Sequence, residues 1–537
     1  MKSVYCTICF ITLLLTNLRA QKNDPAWDNT VSKTWPSPFE KIQLISGVDK
    51  SVQQACYYQS TKAEAQPLIV SLHTWSGDYM QEDPLAREAL LRNWNYIHPD
   101  FRGANNRPDA CGSPLVIADI EDAIRYAVRR GHTDSTNVHI IGVSGGGYAA
   151  LLCYMKLMYP VKSFSAWVPI SDLRSWYWES KGRNARYATD IEQVAMHKRV
   201  MDWSELDRRS PLHLTVPVKR RKNIPLHLFA GIHDGYTGSV PISHSLLFYN
   251  KVVTALFPSS PELLIPEKVI RSLLAQRLNP GADSNNRLQN RLIQLEKKAG
   301  PVRLTLFEGG HEMLAPVALS LLPADTQKHT SRLKVVCIGD SNGAAENGWP
   351  QQLGKLMPYS SLVNISISGN TIGFNNLEQP RLNTLGNINQ YLDSAFSKTG
   401  SNPDLLLIGL GTNDAKAVFA GKQDSVRQNL SKLIRSVKDY CIRHQKKIPR
   451  ICVISPPPAD NTKADPVKYG GAGERIIANN IHFRNICNEQ QIDFLDIHTA
   501  LLAGLENRTT DGIHLTETTQ FEVAVMLIRY INTYFKK

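Results

Sequence analysis

Residues 137–158, NVHIIGVSGGGYAALLCYMKLM, constrain the chain more than any other stretch. Val138, Ile140, Ile141 and Val143 form a β-branched apolar run that reads as a buried strand. Gly142-Val143-Ser144-Gly145-Gly146-Gly147 follows, and a helix-forming run continues from Tyr148 to Met158. A strand that turns through G-x-S-x-G into a helix needs small residues where the backbone doubles back. The turn lifts the serine onto a strained position at the end of its strand. A glycine-rich turn with an incidental serine shares this short signature. The two readings separate on whether an acid and a histidine follow after later strands, in the right order.

Further strands are predicted before and after this turn. Phe39 to Leu44 and Gln53 to Tyr58 alternate as an antiparallel pair. Pro67 to His73 is a buried strand leading into Thr74-Trp75-Ser76-Gly77, and 96–103 is a strand running into a polar PDFRG loop. Ser113 and Pro114 read as N-cap and first residue of a helix with Val116, Ile120, Ile124 and Ala127 on one face, closed by Gly131. Strands at 163–170, 224–230 and 302–307 complete a pattern of strands separated by helices or long connections, which predicts a parallel, doubly wound sheet. Asp234 follows the second of these in Gly231-Ile232-His233-Asp234-Gly235, and His311 follows the third in Glu308-Gly309-Gly310-His311. The order Ser144, Asp234, His311, each after a strand, is that of a serine hydrolase triad. His311 is positioned to take the Ser144 proton, and Asp234 to orient the imidazole.

These motifs, with Gly231 to Pro241 and the PDFRG loop, resemble the prolyl-oligopeptidase-like branch of the α/β-hydrolases over roughly 67–322. The resemblance implies an oxyanion hole from the amides of Gly145 and Trp75. That branch holds peptidases and carbohydrate esterases. Its peptidases carry a β-propeller ahead of the catalytic domain, and too few residues precede Pro67 to build one, so the esterase side is favoured. The insertion at 171–223 is dense in Trp, Tyr and Arg and reads as a cap. Trp176 and Trp178 there offer faces for sugar rings, and Arg183, with Arg102 of the PDFRG loop, offers a fork for carboxylates.

A polar stretch at 323–332 reads as a linker, after which the apolar pattern restarts as a second domain over 333–537. Its polar residues gather at strand ends: Gly339-Asp340-Ser341, Ser368-Gly369-Asn370, Gly411-Thr412-Asn413-Asp414 and Asp511-Gly512-Ile513-His514. The four blocks, in this order, resemble the SGNH (GDSL-like) hydrolases. The resemblance implies a smaller flavodoxin-like fold, Ser341 as nucleophile, His514 as base and Asp511 as its orienting acid. Gly369 N–H and the Asn413 amide would join the Ser341 N–H as oxyanion donors. The fold class expected is therefore α/β twice over: an α/β-hydrolase fold at 21–322 followed by an SGNH-hydrolase fold. Neither mechanism calls for a metal or organic cofactor.

Residues 1–20 have an early lysine, a short apolar core and a small-residue end, which resembles a secretory signal peptide cleaved after Ala20. No later stretch is apolar enough to span a membrane, so an exported protein, periplasmic or at the surface of a Gram-negative cell, is expected. Seven of the nine cysteines lie beyond that segment, without metal-ligand spacing, and several sit in apolar patterns as buried thiols. Removing Lys2 and Arg19 takes the formal charge from +13 to +11, which suits a polyanionic partner. Nucleic acid is not expected, for want of a binding motif. The pairing resembles bimodular bacterial carbohydrate esterases, two centres on one chain acting on a polymer with several ester decorations. The expectation is a plant cell-wall polysaccharide, uronic-acid-rich pectin above xylan, with methyl esters removed by the first domain and O-acetyl groups by the second. Acetylxylan or feruloyl esterase is the alternative. A serine peptidase, or a carbohydrate-binding protein with one inactive hydrolase domain, ranks below both.

Overall fold

The computed structural model describes residue 35, residues 37–324 and residues 331–535. The expected signal peptide and most of the expected linker, 325–330, lie outside the described residues. Among the described residues, seventeen strands run in chain order as β1 (Glu40–Ile45), β2 (Val52–Tyr58), β3 (Gln66–Leu72), β4 (Asn95–Pro99), β5 (Thr133–Val143), β6 (Ser163–Trp167), β7 (Met196–His197), β8 (Val200–Met201), β9 (Leu226–Gly231), β10 (Arg287–Leu288), β11 (Arg291–Ala299), β12 (Val302–Phe307), β13 (Lys334–Gly339), β14 (Ser361–Asn364), β15 (Leu405–Gly409), β16 (Arg450–Ile454) and β17 (Asp493–Leu495).

One sheet of ten strands has the order β1-β2-β4-β3-β5-β6-β9-β12-β11-β10, and a second of five has the order β14-β13-β15-β16-β17. In the first, β4, β3, β5, β6, β9 and β12 are parallel to one another, with antiparallel pairs at both edges. All four pairings of the second sheet are parallel. Mixed α/β architecture is what the strand–helix alternation predicts. Parallel strands covered by helices on both faces bury nearly every residue, as β3, β6 and the 138–143 half of β5 do. The helix at Pro114–Arg129 begins as read: the Ser113 side chain accepts from the N–H groups of Leu115 and Val116, and Pro114 takes a position where no N–H is needed.

Two elements depart from the sequence reading. The strand expected over 163–170 stops at Trp167, because Val168 turns to φ +44°. Arg291–Ala299, RLIQLEKKA, carries no strand signal, and its Leu, Gln, Glu, Lys and Ala are helix formers. Pairing with β12 overrides that preference, and a register shift between Ile293 and Leu295 marks the adjustment.

The insertion at 171–223 folds mainly into helices, Leu173–Gly182, Tyr187–Ala195 and Trp203–Arg209 among them, with the β7–β8 ribbon. Its apolar core is shared with the body: Trp176, Ile191 and Leu206 pack in one cluster with Trp75 and Tyr148. All seven cysteines among the described residues are buried free thiols. Among the described residues no helix is long and apolar enough to cross a membrane.

The two sheets are joined by packed contacts. Glu88 is almost fully buried between Arg92 at 2.8 Å and Lys355 at 3.1 Å. Burial opposes ionisation of its carboxyl, but the two cations outweigh it and hold its pKa below the usual value. Arg92 also donates to Ser320 Oγ at 3.1 Å and lies over the Phe521 ring. Arg303 donates to the Tyr359 hydroxyl at 2.8 Å, and Tyr359 is part of the first sheet's own core.

Candidate active sites

The first site is assembled at the C-terminal ends of β3, β5, β9 and β12. Ser144 has φ +57° and ψ −118°, a conformation that costs a non-glycine residue energy and is kept only where the surroundings impose it. Those surroundings are the close passage of the following helix over β3. A Cβ on Gly146 would lie 1.9 Å from the Leu72 carbonyl oxygen, so only glycine fits. A Cβ on Gly145 would lie 2.2 Å from the backbone nitrogen of Trp75. The structure therefore brings the Gly145 and Trp75 segments into direct contact beside Ser144.

Asp234 is 1% exposed, and its Oδ2 lies 2.8 Å from His311 Nδ1. Its Oδ1 accepts from the N–H groups of Gly235 and Val240, at 2.8 and 3.0 Å. These contacts leave the carboxylate one orientation, toward the imidazole. The cap closes on the same loops. Trp75 Nε1 donates to Asp190 at 2.9 Å, the Tyr148 hydroxyl to the Arg209 carbonyl at 2.9 Å, and Trp176 stands edge-on to Trp75 at 4.6 Å.

The four residues expected to face substrate are not brought together. Arg102 is 6% exposed, and its guanidinium is held by Asp49, Asp119 and Ser46, an internal ion cluster that uses its hydrogen-bonding edge. Trp176 is fully buried, donating to Ser239 O, with no face free for a sugar. Arg183 fastens the cap to the loop after Asp234, donating to the carbonyls of Gly235, Gly238 and Ser239 at 2.8–3.1 Å. Trp178 alone of the four has an exposed ring, at 56%, stacked on Trp203. Arginine and tryptophan advertise chemistry in a sequence but not whether neighbours already satisfy it.

The second site lies at the C-terminal ends of β13 and β15. Ser341 Oγ is 3.0 Å from His514 Nε2, and His514 Nδ1 is 2.7 Å from Asp511 Oδ2. The three groups thus form an unbroken hydrogen-bonded chain. Asp511 also accepts from the backbone N–H groups of Ile513 and His514, at 3.1 and 2.8 Å. Partial burial opposes its ionisation, but the His514 N–H, the imidazole and the Ile513 N–H outweigh it and hold its pKa below the ordinary carboxylate value. This dyad is open, with His514 43% and Asp511 54% exposed.

Ser341, Gly369 and Asn413 line one cavity of about 990 Å³ with His514 and Asp511. Asn413 donates to the Asn370 carbonyl at 3.0 Å, which leaves its amide a second N–H. Several residues outside the expected site set hold this site. Asn342 donates to Ile513 O at 3.2 Å and accepts from Leu515 N–H at 2.9 Å, tying the histidine loop to the serine turn. The Tyr469 hydroxyl donates to Asn413 Oδ1 at 3.4 Å, and Asn376 donates to Gly369 O at 2.6 Å. Asp414 is fully buried and accepts from Ile372 N–H with both oxygens, at 3.0 and 3.1 Å. Burial, with Asp340 nearby, pushes its carboxyl up to about 7. Asn342 and Asp414 adjoin motif residues and could have been singled out. Tyr469 and Asn376 reach the site from distant loops.

Residues 336–520 match the model of the GDSL-like Lipase/Acylhydrolase family, and residues 115–256 that of the Prolyl oligopeptidase family. The chain therefore carries an α/β-hydrolase-like domain followed by a GDSL/SGNH-like one. The two matches support a carboxylic ester hydrolase with a GDSL acylhydrolase domain. No match is found among curated protein sequences. Among solved structures it is similar to Est24, a carbohydrate acetylesterase from Sinorhizobium meliloti, at 21% identity and a TM-score of 0.31 over 37% of this chain and 98% of that one. It is also similar to an M. smegmatis aryl esterase, at 22% identity and a TM-score of 0.31 over 38% and 99%. A Pyrococcus horikoshii acylaminoacyl peptidase is matched at 18% identity and a TM-score of 0.33, over 40% of this chain and 35% of that one.

Proposed function

We propose that the chain is an exported carbohydrate esterase with two serine centres acting on plant cell-wall polysaccharide, most specifically pectin. The first domain, at 21–322, removes methyl esters from uronic acid carboxyls, and the second, at 333–537, removes O-acetyl groups. The observation that carries the reading is the Ser341–His514–Asp511 chain at 3.0 and 2.7 Å, lining a cavity of about 990 Å³. His514 takes the Ser341 proton as Oγ attacks the ester carbonyl and returns it to the departing sugar hydroxyl. Asp511 holds the imidazole and balances its charge, while Gly369 N–H and Asn413 Nδ2 receive the oxyanion. Ser144, His311 and Asp234 act in the same way under the cap, with the Gly145 and Trp75 amides as donors. The basic charge of the chain favours an anionic polymer. Arg102 and Arg183 take no part in that preference.

The exposed Trp178 ring, stacked on the half-buried Trp203 in the cap, favours one alternative, an aromatic acyl group such as feruloyl at the first centre. The test follows methanol, acetate and ferulate released from pectin and from acetylated, feruloylated xylan, using the parent, Ser144→Ala and Ser341→Ala. Methanol lost with Ser144 and acetate lost with Ser341 is the expected result. Acetate as the sole product of both centres would overturn the methyl-ester assignment.

A further inference from the structure

Four cationic side chains line the Ser341 cavity, Arg381, Lys416, Lys463 and Lys468, against two carboxylates other than Asp511, namely Glu378 and Asp465. Lys468 pairs with Asp465 at 3.5 Å, and Lys463 donates to the Glu506 carbonyl. Among the described residues, neither Lys416 nor Arg381 has a carboxylate within ion-pair distance. Arg381 is exposed on the wall, but Lys416 is half-buried. Its ammonium sits 3.3 Å from Asn376 Oδ1 and 5.7 Å above the Tyr469 ring. Burial, with Lys468 nearby, lowers its pKa from the ordinary lysine value. Withdrawing an ammonium from water without a counter-charge is unfavourable, and a lysine has three N–H donors, of which one goes to Asn376.

The placement is specific. Asn376 holds the Gly369 carbonyl and Tyr469 holds the Asn413 amide. The Lys416 ammonium therefore lies against the two side chains that brace the oxyanion donors, in the cavity that Ser341 also lines. Leu377, Val418 and Val467, 69%, 68% and 85% exposed, line the same cavity and offer apolar surface to the C–H faces of a sugar ring.

We propose that Lys416, supported by Arg381, forms a carboxylate subsite beside Ser341, so that the second centre deacetylates a polyuronate in preference to a neutral glycan. This rests on the reading of Ser341 as an esterase nucleophile and adds to it the residue that selects the substrate. Lys416 binds the carboxylate of the acetylated residue or its neighbour and takes no part in proton transfer.

The test uses the full chain carrying Ser144→Ala, so that acetate reports the second centre alone. Acetylated polygalacturonate is compared with the same polymer after its carboxyls are reduced to alcohols. The parent is expected to favour the carboxylated polymer by about tenfold in kcat/KM, through KM, as a charge-assisted hydrogen bond implies. Lys416→Met should shrink that preference to about twofold and Lys416→Arg should keep most of it. Raising NaCl from about 50 mM to about 500 mM should weaken it in the parent. Equal kcat/KM on both polymers in the parent would overturn the proposal. So would a Lys416→Met variant that slows both polymers by the same factor, since Lys416 would then serve the oxyanion loops. Acetate from a small acetyl ester but from neither polymer would reject the polyuronate and leave the esterase reading standing. No acetate from any ester would remove both.

Discussion

The two candidate centres solve one chemical problem in opposite surroundings. Each acid accepts from two backbone amides, but Asp234 is 1% exposed under a cap, whereas Asp511 is 54% exposed on an open loop. In the first centre the protein supplies nearly every contact to the acid, so its orientation is set by fixed dipoles. In the second, water shares that role. A buried acid gains more from each contact because little solvent screens it, and its loss is correspondingly harder to replace.

The largest effects test whether both centres work at all. Ser144→Ala and Ser341→Ala should each lower turnover at its own centre by about 10⁵–10⁶-fold, measured as methanol and acetate release, and leave the other product untouched. The acids then measure the contrast itself. Asp234→Asn should cost about 10⁴-fold, since a rigid amide favours the wrong imidazole tautomer. Asp511→Asn should cost about 10²-fold, because solvent can replace part of an exposed carboxylate. Equal losses would break the comparison. Tyr469→Phe removes the hydroxyl that fixes Asn413 and should slow acetate release by about tenfold, methanol release being unaffected. The smallest effect is on stability. A carboxyl raised to about 7, as Asp414 is, keeps in the fold a proton that the unfolded chain has already released. Stability then falls as pH rises from about 4 to about 7 and levels off above. Asp414→Asn should remove that decline, so its thermal midpoint relative to the parent should climb between about pH 5 and about pH 8.

Much of this architecture is legible from residues alone because α/β folds place chemistry at the ends of apolar strands. Ser144, Asp234, His311, Ser341 and Asn413 each follow such a run, and punctuation by glycine and aspartate marks the exit. The hairpin of β10 and β11 was not legible, because Arg291–Ala299 has helix-forming residues and becomes a strand only through its neighbour β12. Arg102 shows the opposite failure. Its charge is plain in the sequence, but its partners Asp49 and Asp119 lie 53 and 17 positions away, and their approach cannot be inferred from spacing. Tyr469, Asn376 and Lys416 were hidden for the same reason, since they meet only where separate loops converge over the second sheet.

The Glu88 cluster has a consequence for how a polymer would be handled. With Arg92 and Lys355 closing on one buried carboxylate, the two halves meet across a packed surface, which would hold Ser144 and Ser341 at one separation for as long as that contact lasts. The advantage of joining them is then governed by geometry, not by the length of a flexible tether. A polysaccharide held at one serine presents to the other only those ester groups that lie a matching distance along its backbone. The pair would act as a gauge of decoration spacing, favouring chains whose two kinds of ester recur at that interval.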